Sequence, residues 1–124
     1  MSASASIRKV RNVAIIDLKG RITLGDGSGA IRESVKGLVA QGERSILLNL
    51  AEVVYIDSAG LGEMVGSYAT ITNQGGRMKL LHAQKRVQDV LQITKLYTVF
   101  EGFTDEVEAV ASFETAAARA SSQG

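Results

Sequence analysis

Cysteine is absent from the chain, which removes disulfides, thiolate nucleophiles and cysteine-ligated zinc together. Proline is absent too, so turns fall to Gly, Asn, Asp and Ser, and the 13 glycines are expected to mark most of the corners. There is no tryptophan and aromatic residues reach only 5%; no basic stretch is interleaved with rings on which single-stranded nucleic acid could stack. Neither sign of charge dominates. Fourteen Lys and Arg stand against thirteen Asp and Glu, a formal charge of +1, which leaves no broad field to hold DNA or an anionic membrane. No apolar run approaches the roughly 18 residues of a spanning helix, and the opening MSASASIRKV lacks the apolar stretch of a signal peptide. The expectation is a cytoplasmic protein with no direct nucleic-acid partner and no membrane partner.

What remains is enough for one domain: 124 residues, 45% of them hydrophobic, can bury a core without staples and leave no room for a second one. SASAS at the start and AAARASSQG at the end are small, polar-biased and aperiodic. Residues 1–5 and 115–124 are therefore expected to be flexible tails around a domain spanning 6–114. Within it, SIRKV and VAIIDLKG flank an RN turn and read as a hairpin. Ile31, Val35, Leu38 and Val39 recur at helical spacing before Gly42. SILLNL and VVYI, separated by Ala51-Glu52, are apolar on both faces, as a strand covered on two sides would be.

From Leu61 the spacing of Val65, Tyr68, Ala69 and Thr72 predicts a second helix ending at NQGG, followed by the strand RMKLL. A third helix is expected to bury Val87, Val90, Leu91 and Thr94, LYTVF to form the last strand, and a fourth helix to turn Val107, Val110 and Ala111 inward. The order β-β-α-β-α-β-α-β-α implies an α/β fold, a mixed and mostly parallel sheet with packed helices, because strands joined by helices make right-handed crossovers between parallel neighbours.

Chemistry concentrates at Asp57-Ser58, where VVYI hands over to the second helix, at the carboxyl end of a strand where α/β sheets place their ligands. The plainest account is an N-cap, in which one of these side chains accepts from a backbone N–H of the first turn. A nucleophilic Ser58 would need a base, but the single histidine is His82 at the end of another strand, and Ile56 breaks the G-x-S-x-G elbow. A phosphorylated Asp57 would need an acidic pair and a Lys at neighbouring strand ends to hold Mg²⁺, and those ends read LKGR and VFEG. The last account makes Ser58 a phosphoacceptor for a partner kinase, adding about −1.5 to −2 charges at a docking surface. Opposite the expected core face of the helix lie Gly62, Glu63, Gly66, Ser67 and Thr70. Two glycines in a helix cost about 1 kcal/mol each relative to Ala, which close approach of a partner backbone or of this chain's own loop would explain.

The segment LLNLAEVVYIDSAGLGEMVGSYATITNQGGRMKLL, with LKGRI upstream and LQITKLYTVF downstream, resembles the STAS domain of bacterial anti-sigma-factor antagonists, also called anti-anti-sigma factors. The resemblance covers nearly the whole body and implies the STAS fold, no enzymatic activity of its own, no cofactor and no metal. It also implies partner switching. The unphosphorylated form binds an anti-sigma factor that is a serine/threonine kinase and so releases a sigma factor; phosphorylation of the motif serine ends the interaction, and a serine phosphatase resets it. Position by position, Ser58 is then the phosphorylated residue and Asp57 its neighbour needed for a productive corner, with Gly60, Leu61 and Gly62 at the interface; Glu63 and Gly66 join them as candidate contacts from the outer face of the helix. Family members often carry an acid soon after the second strand; here Thr23 follows Ile22 and the acid comes later as Asp26, in a Gly-rich loop that lacks P-loop spacing. Thr23 and Asp26 are therefore further candidate contacts. Ala59 stands where some relatives have a second hydroxyl, leaving Ser58 the single acceptor at the corner. The other class of function is a scaffold or transport-associated accessory module in which Ser58 is never modified. A monomer that forms heterocomplexes is expected.

Overall fold

The computed structural model describes residues 3–24 and 28–123, with side chains described for these residues except 28 and 115–123. The elements run β1 (Ser4–Val10), β2 (Val13–Ile22), α1 (Ser28–Ala40), β3 (Ser45–Ile56), α2 (Ser58–Asn73), β4 (Arg77–Leu81), α3 (Lys85–Ile93), a 3₁₀ turn (Leu96–Thr98), β5 (Gly102–Phe103) and α4 (Glu106–Gln123). Among the described residues five strands make one sheet in the order β1-β2-β3-β4-β5. Only the β1–β2 pair is antiparallel. This is the mixed, mostly parallel α/β architecture expected from the alternation of elements.

That strand order dictates where the helices go. Each crossover from β2 to β5 steps to the next strand in the same direction, and right-handed crossovers of one direction put their helices on one face. Accordingly Ile31 and Val35 of α1, Met64 and Ile71 of α2, and Val87 and Leu91 of α3 share one core with Ile16, Leu48 and Leu80. The alternate residues Ile15, Leu47 and Leu81 face the other way and pack beneath Ala109, Val110 and Phe113 of α4. With both faces covered, β3 is the central strand and runs unbroken through Ala51-Glu52.

Several sequence expectations are corrected. LYTVF contains the 3₁₀ turn rather than the last strand, which is Gly102–Phe103; Lys95, at φ 62°, breaks the chain away from α3 just before it. On α2 the buried face is Gly60, Met64, Ser67 and Ile71, whereas Val65 and Ala69 are exposed, so Ser67 belongs to the buried face and not to the outer one. On α3, Thr94 is exposed and Val90 half-buried. On α4, Val107 is 76% exposed and Ala111 lies outward; Ala109 and Phe113 take their places. Periodicity is ambiguous in α2 and α4 because small residues flank the apolar stripe. Regular structure also starts earlier and continues later than 6–114: β1 begins at Ser4, and α4 continues through the Ala-rich segment, whose residues favour helix intrinsically.

Two glycines of unlike environment test the packing. A Cβ at Gly76, beyond the end of α2, would lie 2.7 Å from Ile71 Cγ1 and 2.5 Å from the Arg44 carbonyl oxygen, whereas one at the exposed Gly37, inside α1, would meet open space. Gly76→Ala should lower stability by about 1–3 kcal/mol, and Gly37→Ala should raise it by roughly 0.5–1 kcal/mol. Urea unfolding of both variants at unchanged m-value checks the pair.

Candidate functional site

β2 and β3 end together, with Ile22 opposite Ile56 in parallel register. The ends are brought level by irregularities in the pairing at Asp17/Lys19 and Gly20/Arg21, and Gly20, at φ 99°, takes a backbone conformation that a side chain would strain. Beyond the bulge Arg21 stacks its guanidinium on the Tyr55 ring at 4.7 Å. One residue further on the Asp57 N–H donates to the Ile22 carbonyl at 3.2 Å, locking the start of the corner to the adjacent strand.

The N-cap account holds for Asp57 and not for Ser58. Asp57, in extended conformation, accepts from the Gly60 N–H through Oδ1 at 2.9 Å. Through Oδ2 it accepts from the Leu24 N–H at 3.1 Å. One carboxylate thus caps α2 and holds the chain leaving β2. These backbone donors, Gly60 first and Leu24 second, keep its pKa below the ordinary 3.8. Because Asp57 supplies the cap, Ser58 occupies the first helical position, is exposed, and its hydroxyl has no hydrogen-bond partner among the described residues.

The candidate interface residues divide. Gly60 is buried, and a Cβ there would lie 2.7 Å from Ile56 Cγ1 and 2.9 Å from Ile22 Cγ2, and closer still to the Ile22 carbonyl oxygen. Its lack of a side chain serves the fit of α2 on the strand ends. Leu61 is half-buried against the core. Gly62 and Gly66 are exposed, and a Cβ on either would meet nothing within 4 Å, so no loop among the described residues explains them. They floor a groove of about 380 Å³ between α1 and α2, with Thr70 at one side and Arg32 and Lys36 at the other. Glu63, half-buried, accepts from Arg32 Nη1 at 3.4 Å across that groove. Thr23 is half-buried at the end of β2; Asp26 lies outside the described residues. Reading the sequence did not single out Leu24, which is 79% exposed beside the corner. An apolar residue just before a Gly-rich loop was the available signal.

His82 belongs to the end of β4, on the way to α3. Among the described residues no cluster of His, Cys, Asp and Glu could hold a metal ion, and no helix is long and apolar enough to cross a membrane.

Residues 4–109 match the STAS domain family. The anti-sigma-B factor antagonist of Bacillus subtilis is 28% identical over 101 residues, covering 82% of this chain and 91% of that protein. Among solved structures, an anti-sigma factor antagonist from Mycobacterium paratuberculosis superposes with a TM-score of 0.80 at 16% identity, over 91% of this chain and 95% of that one. The Bacillus cell fate determinant SpoIIAA in its phosphorylated form gives 0.68 at 23% identity, over 88% and 98%.

Two substitutions probe the corner. In Asp57→Asn only one side-chain oxygen can accept, so the cap at Gly60 should persist while the Leu24 amide exchanges faster with deuterium. Since the folded pKa of Asp57 is depressed, its contribution to stability is present above 3.8 and is lost as pH falls through the folded value. The stability gap between wild type and Asp57→Asn should therefore close on acidification below that range, in urea titrations at stepped pH. Gly60→Ala should cost about 1–3 kcal/mol by overpacking.

Proposed function

The chain belongs to the STAS domain family, and from that membership we propose that it is an anti-sigma factor antagonist whose binding is switched off by phosphorylation of Ser58. The observation that carries the proposal is the division of labour at the corner. Asp57 satisfies the helix start, so Ser58 can be presented, and modified, without unfastening α2.

In the unphosphorylated state the charge nearest Ser58 is the single Asp57 carboxylate. Gly62 and Gly66 leave the outer side of α2 open for a partner's backbone, and Leu24 offers an apolar contact next to the serine. The partner that fits is an anti-sigma factor that is also a serine kinase. In the transfer step Ser58 Oγ attacks the γ-phosphorus of ATP held by that partner, the bond to the β-phosphate oxygen breaks, ADP leaves, and the hydroxyl proton passes to a base on the kinase.

The product carries a phosphate beside a carboxylate whose ionised form is stabilised. A helix N-terminus attracts a phosphate, but here Asp57 already takes the Gly60 N–H, so the backbone offers the new group limited compensation. Two adjacent anions then confront a pocket built for nucleotide phosphates, and the complex is repelled. A serine phosphatase that hydrolyses the phosphoester restores the uncharged Ser58 hydroxyl. The chain itself acts as a binding module in this scheme and not as an enzyme.

Incubation with ATP and the cognate kinase should add one phosphate to wild type and none to Ser58→Ala, read by intact mass. Equal labelling of the two would remove Ser58 from the account, and no labelling of wild type would point to a binding module that is not regulated by phosphorylation. Ser58→Asp should weaken kinase binding by at least about tenfold, or 1.4 kcal/mol. Gly62→Gln should do the same while leaving thermal stability unchanged or higher, because its side chain fills only the space a partner would use.

A further inference from the structure

A second concavity lies away from the Ser58 corner, where α3 and the 3₁₀ turn stand off the ends of β4 and β5. It has a volume of about 280 Å³, close to the lower end of the roughly 300–1,000 Å³ typical of small-molecule sites. The buried side chains of Leu80, Leu91 and Phe100 form its floor. Phe100 is held by an edge-to-face contact with Tyr68, centroids 5.4 Å apart, so the floor is set by the core.

The chemistry of the lining is selective. Among the described residues no Asp, Glu, Lys, Arg or His borders this concavity, whereas the groove beside α2 and two further concavities carry charged residues. Its rim is polar without being ionic. Gln92, Tyr97 and Thr104 line it, and none of their side chains has a hydrogen-bond partner among the described residues. An apolar aromatic floor below neutral donors and acceptors suits a flat, uncharged ring system bearing its own donor and acceptor on one edge. A carboxylate, phosphate or ammonium would lose hydration here with no opposite charge to replace it.

Gly102 lines the same space. It pairs with Leu80 in register, so its side-chain direction is toward α3, and a Cβ there would meet no atom within 4 Å. The next residue, Phe103, turns to the opposite face, against α4. The two-residue strand β5 therefore leaves the concavity open at Gly102.

We infer that this concavity is a binding site for an uncharged bicyclic heteroaromatic ligand with a lactam-like edge, separate from the phosphorylation corner. The test uses quinolin-2-one as probe, titrated into the full chain and followed by amide chemical shifts. Saturable shifts confined to α3, the 3₁₀ turn and β5, with a dissociation constant of about 1 mM or tighter, are expected. Benzoate and benzamidinium, tested in parallel, should bind at least about tenfold more weakly. Gly102→Val should weaken quinolin-2-one binding by at least about tenfold; if that variant lowers Tm, Gly102→Ala supplies a smaller filling group with a smaller loss. The inference is overturned by the absence of saturable shifts, by shifts centred on α1 and α2, by equal binding of the charged probes, or by unchanged affinity in a folded Gly102 variant.

Discussion

The carboxylate of Asp57 is the constraint on which the corner depends. Its oxygens reach the Gly60 N–H on one side and the Leu24 N–H on the other, so a single side chain sets both the start of α2 and the path of the chain leaving β2. Without that double acceptance the first turn of α2 would need another cap, and Ser58 is the nearest candidate. A serine spent on capping is a poor acceptor for anything else. The exposure of Ser58 is therefore a consequence of the residue before it.

The sheet order supplies the surroundings. Because β2 to β5 advance one strand at a time in one direction, α1, α2 and α3 are gathered on one face, and α1 comes to lie beside α2. The groove floored by Gly62 and Gly66 exists only through that neighbourhood. On the opposite face α4 is fastened by ionic contacts as well as by its apolar side. Arg8 of β1 donates to Glu106 Oε1 at 2.6 Å and to Asp17 Oδ2 at 2.7 Å, and the nearly buried Lys79 of β4 donates to Ser112 at 2.9 Å between the rings of Phe103 and Phe113. Arg8 is 40% exposed, so its pairs hold position more than they add stability.

The glycines show why sequence and structure carry different information. Gly60, Gly62 and Gly66 look alike in the sequence: helical spacing gathered Gly62 and Gly66 on one surface with Ser67, and the family resemblance added Gly60. In the folded chain Gly60 is pressed against the ends of β2 and β3, Ser67 is buried, and only Gly62 and Gly66 remain open. The rotation of α2 that separates them follows from Met64 and Ile71 being its deepest side chains. The spacing read from the sequence put Leu61 and Val65 on the core face and passed over Met64 and Ile71, since hydropathy records how apolar a residue is and not how deep it sits.

The order of strands and helices, the hairpin, the doubly covered central strand and the Asp57-Ser58 corner were all determined by the sequence, because periodicity, β-branching and turn residues act over a few neighbours. Which of the two corner residues is the cap was decided by tertiary structure. So was the link from Asp57 to Leu24, 33 residues away in the chain, and so was the open position at Gly102. Each depends on segments distant in sequence being brought within hydrogen-bonding or van der Waals distance, and local composition holds no record of that distance.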